Sequence, residues 1–109
     1  MTVANMAKAL ALTPHATPDD GREITGGYVG DLLSWVMGRA QSGEVWITIM
    51  SNINIIAVAS LVDTACIVLA EGVIPDANLV ATAEAKGVNL YSSSMTAYEL
   101  AAALAGLQK

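Results

Sequence analysis

The stretch "INIIAVASLVDTACIVLAEGVI", residues 53–74, decides how the chain is read. At this length an apolar run can span a bilayer as one helix. It nevertheless carries Asn54, Asp63 and Glu71, and a central Asp costs roughly 3 kcal/mol on insertion. A helix that breaks near Asp63–Thr64 and continues as a buried strand avoids that cost. The second reading places the chain among α/β proteins, with no membrane segment.

Working outward, three short segments read as buried strands: "EVWITI" (44–49), "CIVLA" (66–70) and "VNLYS" (88–92). Each is rich in β-branched or aromatic residues and bounded by polar or glycine positions. "EITGGYV" (23–29) is a fourth, interrupted by its glycines. Helical patterns alternate with them. "DLLSWVMGRA" (31–40) sets Leu32, Leu33, Val36 and Met37 on one face, with Asp31 as its expected N-cap. The next helix follows Ser51 or Asn52 as its expected cap. "DANLVATAEAKG" (76–87) ends at Gly87, and "TAYELAAALAGL" opens with a Thr96–Glu99 capping box. A short helix over 3–11 precedes them, and "TPHATPDDG" (13–21) reads as a loop with room for an edge strand. This order predicts a three-layer α/β/α fold, a mostly parallel sheet of four to five strands, and a single domain over 1–109.

The charge pattern removes several functions. Ten acidic residues face five scattered basic ones, whereas nucleic acid and anionic membranes require clustered positive charge. Charged residues are only 14% of the chain, which favours a buried subunit contact. The helix over 53–62 is apolar on more than one side, and Trp35 adds to the inward set of the helix before it. A helix apolar nearly all round must be covered twice. Trp35, Ile53, Ile55, Ile56 and Val58 are therefore the expected homodimer interface, with burial inside one copy as the alternative.

Reactive residues are sparse. One cysteine, Cys66, and one histidine, His15, supply no metal cluster and no disulfide, which suits a reducing, cytoplasmic setting. No secretory leader pattern is visible at the start. Cys66 reads as a packed, inert thiol. Ser92, Ser93 and Ser94 lack a G-x-S-x-G elbow, so neither catalytic residues nor a cofactor are expected. The glycines of "EITGGYVGDLL" (23–33) lack the lysine of a phosphate loop and the spacing of a dinucleotide turn. They read as backbone turns or close approaches.

"GREITGGYVGDLLSWVM" followed by "GEVWITIMSNINIIAVASLVDTACIVLAEGVIPD" resembles the DRTGG domain. Asp20, Arg22, Thr25, Gly26 and Gly27 match the motif behind that name, although Gly21 separates the Asp from the Arg. Such domains are appended to pyrophosphatases and phosphate acetyltransferases or stand alone, and they are similar in fold to the N-terminal domain of HPr kinase/phosphorylase. The chain looks like the stand-alone form, a kind often encoded near hydrogenase-related genes. The resemblance implies a non-catalytic regulatory module that pairs subunits, with room for a protein partner in an energy or redox system. It does not imply a kinase, whose nucleotide loop belongs to a separate domain.

In open parallel sheets, ligands bind outside the carboxyl ends of the strands. Those ends give Ser51 and Asn52, then Glu71, then Ser92, Ser93 and Ser94, with the Thr25–Gly26–Gly27 turn expected nearby. An adenine nucleotide or another phosphorylated metabolite is the ligand considered there; the alternative is that each residue is only a cap or turn.

Overall fold

The break in the apolar run falls at Asp63. In a computed structural model, which describes residues 1–108, helix α3 (Asn54–Val62) stops there and strand β4 (Cys66–Leu69) begins three residues later. Asp63 takes the left-handed conformation, φ 68°, and its N–H donates to the Ala59 carbonyl. Aspartate tolerates this geometry better than most residues. No helix among the described residues is long and apolar enough to cross a membrane.

The remaining elements are α1 (Val3–Ala9), β1 (Thr13–Ala16), β2 (Gly26–Val29), α2 (Leu33–Arg39), β3 (Glu44–Thr48), α4 (Ala77–Lys86), β5 (Leu90–Ser92) and α5 (Ala97–Leu107). They build one five-stranded sheet in the order β1-β5-β4-β3-β2. Strands β2 to β5 are parallel and β1 is antiparallel to β5. Each parallel strand lies beside its predecessor, so the right-handed crossovers stack α2, α3 and α4 on one face. Val36, Ile55 and Leu79 of these helices share a core with Trp46, Ile67 and Leu90. On the other face, Val3 and Met6 of α1 and Leu100 and Leu104 of α5 pack on Val45, Ile47 and Val68. This is the expected α/β/α sandwich. With both faces covered, β4 is buried at every position, which is why it reads as an unbroken apolar run.

Two caps are as expected: Gly87 closes α4 at φ 73°, and Thr96 with Glu99 forms the capping box of α5. Asp76 caps the start of α4 as well, accepting from Leu79 N. Elsewhere local expectations give way to the sheet. Asp31 does not cap α2: its Oδ1 accepts from Thr48 Oγ1 at 2.8 Å and from Ile49 N at 3.0 Å, tying the end of β2 to the end of β3. The helix therefore starts at Leu33 without a side-chain cap. Only Val36 of its expected inner face is fully buried, while Leu32 and Met37 are exposed. Helix α3 is covered within the chain, so Ile55, Ile56 and Val58 lie in the core and offer no interface. Of the five expected contact residues, only Trp35 and Ile53 present surface. Helices α2 and α4, packed on either side of α3, supply the second cover that the sequence pattern assigns to another subunit.

Segment 13–21 contributes β1, an edge strand whose register shifts between Pro14 and Ala16, leaving His15 as the bulged residue. The rest of that loop is stitched down by buried Asn89. Its Oδ1 accepts from Asp19 N, and its Nδ2 donates to the Asp19 and Ala65 carbonyls. Its amide nitrogen and its oxygen are thereby both paired, as burial demands.

Candidate functional site

The residues expected at one ligand site divide between opposite ends of the sheet. Gly26 pairs with Glu44, the first residue of β3, so Thr25, Gly26 and Gly27 lie at the amino end. Their surroundings explain them structurally. A Cβ on Gly27 would sit 2.8 Å from the Leu104 side chain, so the missing side chain lets α5 approach β2. Thr25 Oγ1 donates to the Ser42 carbonyl at 3.0 Å. Beside it Gly43 adopts φ +83°, where a Cβ would meet Thr25 Cγ2 at 2.8 Å.

Arg22 anchors the same end. Its Nη1 donates to Asp63 Oδ1 at 2.7 Å and its Nη2 to Asp63 Oδ2 at 2.9 Å, a two-pronged contact that matches guanidinium to carboxylate. Nη2 also donates to the Asp63 carbonyl, and Ser42 Oγ donates to Asp63 Oδ2. The Arg22 hydrogen bonds, followed by that from Ser42, hold the Asp63 carboxyl down at about 2. Arg22, Thr25 and the glycines thus form a clamp that joins the loop before β2 to the α3–β4 corner. A hollow of about 330 Å³ beside Thr25 has no charged side chain among its described lining residues, the Met1 ammonium there is paired with Glu23, and the Thr25 hydroxyl is already used.

The other end contains a cleft of about 540 Å³. Gly72 and the hydroxyls of Thr13, Ser92, Ser93 and Ser94 supply its polar surface, and Leu10, Ala11, Ile74 and Met95 its apolar walls. Its position follows from the connections. The chain leaving β4 turns toward α4, and the chain leaving β5 turns toward α5 on the opposite face, so a crevice opens between their carboxyl ends. Two backbone bonds, Glu71 N to Met95 O and Gly72 N to Ser93 O, hold the two loops together. Ser92, Ser93 and Ser94 therefore lie where expected, and Glu71 adjoins them. Ser51 and Asn52 do not line the cleft; Asn52 instead accepts from Asn54 N at the start of α3.

The amino end of α5, which faces this side, is already satisfied. Ala97 N donates to Glu71 Oε2 at 3.0 Å, Thr96 N to Glu99 Oε1, and Glu99 N to Thr96 Oγ1. A protein carboxylate thus takes the place an external anion would have. Two of the three non-glycine residues at positive φ, Ala11 (53°) and Glu71 (62°), belong to this region. Such conformations cost about 1–3 kcal/mol and gather at working sites.

One contact here is missed by the sequence reading, which leaves Ser92 without a histidine. The bulge in β1 re-aims His15, and its Nε2 lies 2.7 Å from Ser92 Oγ. Partial burial lowers the His15 pKa. The only signal in the sequence is His15 between two Thr-Pro pairs, which marks an irregular strand without naming its partner. A serine on a histidine nitrogen is half of a nucleophilic site, but no carboxylate among the described residues bonds the second ring nitrogen. Cys66 is fully buried in the other core, and desolvation pushes its thiol up to about 12. Among the described residues no group of three or more His, Cys, Asp or Glu is placed to hold a metal ion.

The fold has a solved counterpart. The crystal structure of the CBS and DRTGG domains of the regulatory region of Clostridium perfringens pyrophosphatase, complexed with the activator diadenosine tetraphosphate, superposes with a TM-score of 0.73. The match covers 94% of this chain and 45% of that one at 10% sequence identity, so this chain spans less than half the length of its counterpart. At that identity the likeness is one of fold. No protein-family model and no curated protein matches the sequence.

Proposed function

We propose that the chain is a DRTGG-type regulatory module, one domain in extent, that acts in the cytoplasm as a homodimer and carries no catalysis of its own. The observation that carries the reading is an unguarded edge beside an apolar corner. Strand β2 ends the sheet with the sequence Gly-Gly-Tyr-Val, without a charge or a proline. Alternate backbone groups of such an edge remain open to another strand. Toward this edge Val29, Leu32, Trp35 and Ile49 are exposed, with Arg39 over the Trp35 ring, whereas Ile53 lies in a groove between α3 and α4. The opposite edge, β1, is blunted by Pro14 and the bulge at His15, both common devices against pairing. In a chain of net charge −5, an uncharged edge is where two copies meet with least repulsion. A twofold pairing would then place β2 against β2.

Light scattering at micromolar concentration tests this. The expected mass is twice 11.2 kDa, and Val29→Lys or Trp35→Ser gives a folded monomer. A wild-type monomer overturns the reading. A partner in energy or redox metabolism would receive the output.

A second reading, a sensor of an adenine nucleotide, is favoured by the cleft beyond β4 and β5. The fold counterpart, crystallised with a dinucleotide activator, adds to it. The cleft volume of about 540 Å³ falls within the range usual for small-molecule sites.

A further inference from the structure

We infer that the cleft takes an uncharged, ring-bearing, hydroxylated ligand, a nucleoside, and that phosphate groups weaken the binding. This rests on the sensor reading and specifies its chemistry. Leu10, Ile74 and Met95 give apolar walls suited to the face of a base. The Thr13 and Ser94 hydroxyls make no hydrogen bond within the described residues, and both residues are exposed. They are therefore free to pair with ribose hydroxyls or ring nitrogens. Ser92 holds His15, which fixes the back of the cleft and leaves its outer hydroxyls as the contacts on offer.

What the cleft lacks is as specific. None of the described basic side chains lines it. Arg22 is committed to Asp63, Arg39 lies over the Trp35 ring, Lys86 closes α4, and Lys8 lines a neighbouring hollow with Pro14 and Tyr91. The helix end that would receive a phosphate is occupied by Glu71. A phosphate bound here gains no described basic partner from the lining and lies near the Glu71 carboxylate at the adjoining end of α5, on a chain already at −5. The sensor reading alone leads one to expect the opposite order, with affinity rising as phosphates are added.

Isothermal titration of the full chain with adenosine, AMP and ATP tests the inference. Adenosine binds about tenfold more tightly than AMP at low salt, with ATP weaker again, and added salt narrows the gap. Glu71→Gln, which can still accept from Ala97 N, narrows it as well by improving AMP. Ser94→Trp, at an exposed position, abolishes adenosine binding by filling the cleft. AMP or ATP binding more tightly than adenosine overturns the inference and leaves the sensor reading standing. Adenosine binding unchanged by Ser94→Trp places the ligand elsewhere and overturns it too. If none of the three binds at millimolar concentration, the sensor reading itself falls.

Discussion

The amino and carboxyl ends of this sheet are built on opposite principles. At the amino end Arg22 reaches across to Asp63, Asp63 also takes the Ser42 hydroxyl, and Thr25 closes over Gly43. Asn89 pins the preceding loop from the same side. At the carboxyl end the β4 and β5 loops are joined by two backbone bonds, the cleft stays open, and Ala11 and Glu71 hold left-handed conformations. Arg22, Thr25, Gly26 and Gly27 sit at the end fastened by side chains, and the cleft sits at the other, while left-handed residues occur at both. A matched motif can therefore mark the fastening of a fold rather than its binding surface.

The contrast breaks or sharpens under substitution. The largest effect is expected at Gly43→Ala, which forces a Cβ to 2.8 Å from Thr25 at φ +83°. A loss of about 2–3 kcal/mol in urea unfolding is expected; a loss under about 0.5 kcal/mol would show that the clamp yields. Arg22→Ala should cost about 1–2 kcal/mol, the charged hydrogen bonds being partly screened at this half-exposed pair. Asp63→Ala should cost a similar amount, and the double variant should cost little more than either single one.

Acid separates the two ends further. The Asp63 carboxyl is held below its ordinary value, at about 2, so its contribution is complete above about pH 4 and is lost as the pH falls through 2. Screening at this exposed side chain limits the change to about 1 kcal/mol. Asp63→Asn should remove that part of the pH dependence, and an unaltered slope between pH 4 and 2 would assign it to other carboxylates. The smallest effect belongs to the cleft. Ala11→Gly relieves a positive φ and should stabilise by up to about 1 kcal/mol, whereas Ser94→Ala should stay within about 0.5 kcal/mol of wild type. A large loss at Ser94 would mean that its hydroxyl fastens the fold after all.

Much of this was open to a reader of the residues alone. The helix–break–strand course of residues 53–74 follows from Asp63 interrupting an apolar run, and the caps at Gly87 and Thr96 follow from short-range spacing. The cleft serines were placed by strand order, because they follow a strand directly. Errors arose wherever a side chain had two local uses. Asp31 fits a cap and a cross-strand acceptor equally well, and only the adjacent end of β3 selects the latter. The apolar α3 fits a subunit interface and a doubly covered core, and the packing of α2 and α4 beside it decides for the core.

Local patterning determined the element types, their order and the parallel three-layer architecture, because hydrophobic period and capping chemistry act over a few residues. Tertiary structure alone decided that Arg22 would find Asp63 across 41 positions, that His15 would reach Ser92 across 77, and that the glycine pair would lie at the end away from the serines. Those contacts depend on strand direction and register, which arise only when distant segments pair and no stretch of sequence specifies by itself.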